Sequence, residues 1–444
     1  MDYIIQGGQL LLSISILVVL HEAGHFFAAK YFKTKVESFY LFFNPWFSIW
    51  KKKIGETTYG IGWLPLGGYV KIAGMIDESM DKEQMKKPAE PWEFRSKPTW
   101  QRLIIMLGGI IVNVIVGFLI YSFVLMAYGD KYLAPSELKD GIWCSNEAVA
   151  NEIGLQTGDK IITINGTAPA TFSAMQEEIF YAKKLTVERN GEHISLEIPK
   201  NLIETLIDNR TKPMFMPRIP FVIGGIRDGY VAENAGFKEQ DKIVGINNTP
   251  IKYYDEFTPL IKQLTKQQIE VNIIRDGKPM SIALTIPDSN IIGLAPFGYS
   301  LSDLDKAGIY QLKTQEYSFG EAFPAGYHKA EEKIVNYYKQ FKMMLNPSTG
   351  AYKGMGGFVS ISKLFGTEWN WQNFWEKTAW ISLVLAFMNL LPIPALDGGH
   401  VMFLLYEMIT RRKPNEKAME YAQMAGMILL LAFMVYANTD WLRF

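Results

Sequence analysis

Cysteine is nearly absent, with one residue, Cys144, in a chain of 444. No intrachain disulfide can form, and there is no CxxC-type metal or redox site. The count carries no information on compartment, and Cys144 reads as a small buried apolar side chain. Histidine is scarce too, with five in the whole chain. An excess of either charge is also missing. The 45 Lys and Arg are balanced by 45 Asp and Glu, so no net field draws the chain to nucleic acid or to an anionic surface. What the sequence has instead is apolar bulk. Hydrophobic residues make up 48% and aromatics 14%, which excludes a disordered polar chain and leaves room for two or three folded domains.

Four apolar stretches, about 4–29, 103–128, 378–396 and 420–437, approach the roughly 20 residues that a bilayer core requires. The first lacks the basic start and small-x-small cleavage site of a secretory signal, so it reads as a retained helix. Basic residues fix the orientation. Lys30, Lys33, Lys35 and the run Lys51, Lys52, Lys53 follow the first stretch, and Arg411, Arg412, Lys413 and Lys417 join the last two. Both links are expected on the cytoplasmic side, with the long block 129–375 on the other. The chain therefore reads as a polytopic α-helical membrane protein with four transmembrane helices.

The outer block carries a repeat. Ala150, Gly154, Asp159, Ile161, Ile164 and Asn165 recur in register as Ala232, Gly236, Asp241, Ile243, Ile246 and Asn247. Each copy is followed by an alternating strand pair with a two-residue turn, Asn190-Gly191 or Asp276-Gly277, suited to a type I′ hairpin. Two β-rich modules of about 80 residues each are expected. Residues 56–73 alternate Tyr59, Ile61 and Trp63 with small residues and read as a cytoplasmic-side β-hairpin with an apolar face toward lipid or the helices. The segment "YHKAEEKIVNYYKQFKMML" has the spacing of an amphipathic helix. The resulting division is 1–30 (first span), 31–100 (hairpin region), 101–128 (second span), 129–212 and 213–290 (modules), 291–375 (amphipathic linker), 376–410 (third span) and 411–444 (basic loop and fourth span).

Inside the first apolar stretch lies "HEAGH". His21 and His25, four apart on a helix, project from one face and can reach one ion, while Glu22 falls beside it as a base. Polar residues at a helix–helix seam are the plainer alternative. Ionisable groups at membrane depth need a compensating partner, and a cation supplies it. A catalytic zinc takes three protein ligands, and Asp397, His400 and Glu407 are candidates for the third. Asp397 is favoured by depth. It sits in "NLLPIPALDGGH", where Pro392 and Pro394 break the span and Gly398 and Gly399 permit irregular backbone lining a cavity.

HEAGH in the first span, "NLLPIPALDGG" in the third, "LPLGGYVK" between the first two and a tandem repeat before the third together resemble the site-2 proteases, the family of intramembrane zinc metalloproteases. The resemblance covers nearly the whole chain. It implies one Zn2+ held by His21, His25 and Asp397, with Glu22 as catalytic base. It implies substrate contact through Asn389 and through Gly67, Gly68, Tyr69 and Val70 on a membrane-reentrant β-loop. Gly109 and Asn113 fall in the family's G-x-x-x-N stripe, with Ile110 where relatives carry proline. Phe358 likewise stands at a position where relatives often have proline. The modules would be PDZ-like and periplasmic, in a bacterial inner membrane, with the active site toward the cytoplasm. Implied partners are the lipid bilayer, single-span transmembrane substrates (a pre-trimmed anti-sigma factor, remnant signal peptides) and an upstream site-1-type protease, with no nucleic acid. The rival readings are a membrane-anchored zinc peptidase of soluble peptides and a non-enzymatic PDZ scaffold or ion-binding transporter.

Overall fold

The computed structural model describes residues 2–75, 88–209, 213–298 and 301–439. Among the described residues three helices are long and apolar enough to cross a membrane: α1 (Asp2–Tyr31), α2 (Thr99–Tyr128) and α6 (Glu416–Asn438). At 1.5 Å per residue, the 30 residues of α1 and of α2 each reach about 45 Å, more than a hydrocarbon core of about 30 Å. Pro98 immediately precedes α2, and Gly129 ends it at φ +66°. Between them in sequence and α6 lie α3 (Phe319–Met344), α4 (Trp371–Leu390) and α5 (Asp397–Thr410). The expected third span, 376–410, is thus two helices. The break falls over residues 391–396, because Pro392 and Pro394 have no N–H to continue the ladder. Gly398 and Gly399, expected in irregular backbone, instead begin α5.

The chain divides into two compact units. In the first, comprising 1–129, 316–342 and 355–444, α1 crosses α2 with backbone nearly touching backbone. A methyl group built on Gly108 would lie 2.5 Å from the Gly24 carbonyl oxygen, so both positions need the bare backbone. Ala29, Ile105, Met106, Val401 and Leu404 pack together at this crossing.

A four-stranded sheet joins these helices, made of β1 (Val36–Phe43), β2 (Trp50–Ile54), β3 (Thr57–Ile61) and β4 (Leu64–Ile72) in the order β2-β3-β1-β4. The expected hairpin at 56–73 does not form. β1 lies between β3 and β4, parallel to the first and antiparallel to the second. The aromatic-rich β1 gains two partners this way, and its buried Tyr40 ring lies over the bare backbone of Gly60. Pro65, which cannot donate to a ladder, sits in β4 at the sheet edge.

The second unit, 130–315 with 343–354, is β-rich and has two hydrophobic cores. One is built around Ile161, Ile164, Leu185 and Val187, the other around Ile243, Ile246, Val271 and Ile273. The repeat is legible in its polar contacts as well. Arg189 donates twice to Asp159 and once to the Gly154 carbonyl, and Arg275 does the same to Asp241 and Gly236. Asn190 and Gly191, and Asp276 and Gly277, all have positive φ, as a type I′ turn demands. Cys144 is buried here, and that burial pushes its thiol up to about 12, leaving it protonated and inert at neutral pH.

Candidate metal centre

His21 and His25 lie one turn apart on α1, and Asp397 is the first residue of α5. The loop before Asp397 is held in an unusual shape. Ala395 has φ +82°, a region costly for a residue with a Cβ, and the turn is fastened by hydrogen bonds from Leu396 N to Ile393 O and from Gly399 N to Leu396 O, both 3.0 Å. Gly398, Gly399 and, on α6, Gly426 lie against its carbonyl groups where no side chain would fit. This nest turns the Asp397 carboxylate toward α1.

The three donor atoms form a nearly equilateral triangle. His21 Nε2 is 3.3 Å from His25 Nε2 and 3.2 Å from Asp397 Oδ2, and His25 Nε2 is 3.3 Å from the same oxygen. Ligands at about 2.0 Å from a tetrahedral ion are separated by about 3.3 Å, so the trio has the dimensions of one face of a zinc site. The hydrogen-bond chemistry agrees. His25 Nδ1 is 2.8 Å from the Ile105 carbonyl, which can only accept, so that nitrogen carries a proton, and in the neutral ring Nε2 is then the bare, inward-facing nitrogen. Asp397 Oδ2 is buried and takes no well-directed hydrogen bond. Lone pairs brought this close repel unless a cation lies among them, and the residues therefore fit a metal ion.

A cavity of about 640 Å³ opens beside the trio. Glu22 lines it without joining the triangle, and its carboxylate lies beside the Val70 backbone N–H. Among the described residues β4 pairs with a strand on one side only, β1. Because residues of an antiparallel ladder alternate in direction, a Val70 N–H turned toward Glu22 puts the backbone groups of Gly68 on the same side of the strand. Gly68, Tyr69 and Val70 all line the cavity, whereas Gly67 is not among its lining residues and lies against Phe43. Asn389, near the end of α4, has its Nδ2 3.4 Å from His21 Nε2.

The other ligand candidates fall elsewhere. His400 lines the cavity, but its Nε2 is 2.9 Å from Gln423 Nε2 and it is not part of the trio. Glu407 accepts from Arg102 at 2.6 Å and from Thr99 at 3.1 Å. Sequence spacing gave no sign of Ile105, which contributes a main-chain carbonyl, nor of the steric part played by Gly109. A Cβ on Gly109 would lie 2.5 Å from both His21 Cε1 and His25 Nε2. Its place in the G-x-x-x-N stripe was the one available signal.

Three inward donors with a separate carboxylate alongside divide the labour as metallopeptidases do. Comparison with known proteins agrees. The model of Peptidase family M50 matches residues 9–433, and the chain belongs to that family, the site-2 proteases. It is similar over its length to the regulator of sigma-E protease RseP of Escherichia coli, 27% identical with 96% of this chain and 95% of the relative covered. The regulator of sigma E protease of Haemophilus influenzae is 26% identical, with both chains covered in full. A Campylobacter jejuni protein named as a zinc metalloprotease is 29% identical, covering 98% of this chain and 93% of the relative. The protein is thus a metalloprotease.

Proposed function

We propose that the protein is an intramembrane zinc endopeptidase that binds one ion through His21, His25 and Asp397 and cuts transmembrane segments of single-span proteins. The observation that carries this reading is the 3.2–3.3 Å triangle of donor atoms with Glu22 beside it on an apolar, membrane-length helix. When bound, zinc supplies a Lewis acid that polarises the scissile carbonyl and acidifies a water ligand. Glu22 takes the proton of the attacking water and hands it to the leaving amine, and the Val70 N–H holds its carboxylate toward the cavity. Asn389 directs an amide N–H to the edge of the site, where it steadies the developing oxyanion or the substrate backbone.

A helical substrate must unwind before its carbonyls can react, and its freed polar groups then need partners. The side of β4 away from β1 offers them by strand addition, with Gly68 flanking the cleavage point. We take α4 as a fourth membrane crossing on the strength of its apolar sequence. The β-rich unit is read as two PDZ-like periplasmic modules that exclude substrates with bulky outer domains. Resemblance supports an anti-sigma factor already trimmed by a site-1-type protease, and remnant signal peptides, as substrates in a bacterial inner membrane.

The test pairs metal analysis with cleavage of a single-span reporter. Glu22→Gln retains zinc and loses hydrolysis; hydrolysis that survives this change refutes Glu22 as the catalytic base of this site.

A further inference from the structure

The α2 face beneath the two histidines advances in steps of four residues: Ile105, Gly109, Asn113. Ile105 offers its carbonyl to His25 and Gly109 makes room for both rings. Asn113 lies against His21. It is fully buried, its Nδ2 stands 3.1 Å from His21 Nδ1, and its Oδ1 has no hydrogen-bond partner.

That orientation conflicts with the chemistry of the trio. The inward nitrogen of His21 is Nε2, 3.2 Å from Asp397 Oδ2. If Nε2 gives its lone pair to a metal, the neutral ring carries its proton on Nδ1. An Nδ1–H facing an amide NH2 sets donor against donor, whereas the same group facing Oδ1 forms a hydrogen bond. The two ends of an amide are nearly alike in shape, so a half-turn exchanges them without repacking. Either orientation leaves one end of the amide without a protein partner. One alone lets His21 donate.

We propose that Asn113 is the positioning residue for His21: in the metal-loaded protein its amide turns so that Oδ1 accepts from Nδ1–H, fixing tautomer and ring plane as the Ile105 carbonyl does for His25. The proposal rests on the metal-site reading above. The Asn113 backbone is itself anchored, since its carbonyl accepts from Ser382 Oγ at 2.7 Å.

The experiment measures zinc affinity of the purified full-length protein by competition with chelators of graded strength. Asn113→Leu, similar in volume and without an acceptor, binds zinc about 10- to 100-fold more weakly. Asn113→Ala reads out the same loss where the leucine variant fails to insert. Asn113→Asp keeps an acceptor oxygen and the parent affinity. Ser382→Ala, which loosens the same helix contact without touching the histidine, also keeps it. Parent affinity in the leucine or alanine variant, an equal loss in Asn113→Asp, or an equal loss in Ser382→Ala overturns the proposal. A parent protein that binds no zinc defeats the metal-site reading itself, and with it the role of Asn113; zinc in the parent with no loss in the variants defeats the Asn113 proposal alone.

Discussion

Replacing Gly109 by alanine adds one methyl group at the point where α2 meets both histidines. The new carbon would lie 2.5 Å from His21 Cε1 and His25 Nε2, where ordinary contact begins at 3.4 Å, so each ring must retreat by about 0.9 Å or α2 must move away. α2 has little freedom to move. One residue earlier the Gly24 and Gly108 backbones are already in contact, and one turn earlier the Ile105 carbonyl is hydrogen-bonded to His25. The displacement therefore falls on the two imidazole rings. Metal sites hold their bond lengths to within about 0.2 Å, so a shift several times larger is expected to lower zinc affinity by about 100-fold. Turnover should drop at least as far, since misplacement by about 1 Å costs roughly 100-fold. Stability should suffer less, because one extra methyl in a packed interior costs about 1–3 kcal/mol. The assays are metal content after chelator challenge, cleavage of a single-span reporter in detergent, and thermal unfolding. Gly7→Ala, where the added carbon meets nothing within 4 Å, is the silent control. If Gly109→Ala retains parent zinc affinity and turnover, the steric argument for this position is wrong.

Asp397→Ala should abolish zinc binding while His400→Ala retains it, as read by metal analysis; the reverse result would exchange their roles. Glu407→Gln should leave zinc affinity unchanged but destabilise the fold by about 3 kcal/mol, because it weakens the partner of a largely buried Arg102, and thermal unfolding together with metal analysis separates the two effects. In the second β-rich module, burial pushes the Asp241 carboxyl upward, but the Arg275 guanidinium and the Lys238 N–H outweigh it and hold the group below its ordinary value. The stabilisation is therefore present above the usual carboxylate range of about 4 and is lost as pH falls through the lower folded value. Asp241→Asn should lower that module's unfolding midpoint by roughly 5 °C at pH 7 and flatten its acid limb; an acid limb identical to the parent's would contradict this.

Much of the site was legible because its chemistry is local. His21, Glu22 and His25 lie within a single turn and a half of helix, and helical geometry alone puts both imidazoles on one side. The repeat was equally readable, since each copy carries its own turn residues and its own apolar spacing. The hairpin at 56–73 was misread for the opposite reason. Its two strands are adjacent in sequence and alternate convincingly, yet which strand lies beside which depends on a third segment, β1, and on the fit of Tyr40 over Gly60. Gly109 and Gly426 were silent as spatial constraints, because a missing side chain shows its purpose only when its neighbour is known.

By itself the sequence determined the apolar spans, the repeat, and a pair of histidines with a carboxylate beside them, since each depends on periodicity along a continuous piece of chain. The tertiary structure decided which of three distant acids and imidazoles completes the trio, which backbone carbonyl accepts from His25, and that Gly68, Tyr69 and Val70 of β4 line the cavity. Those choices belong to segments that lie from tens to hundreds of residues apart, and packing settles them through contacts that no local pattern encodes.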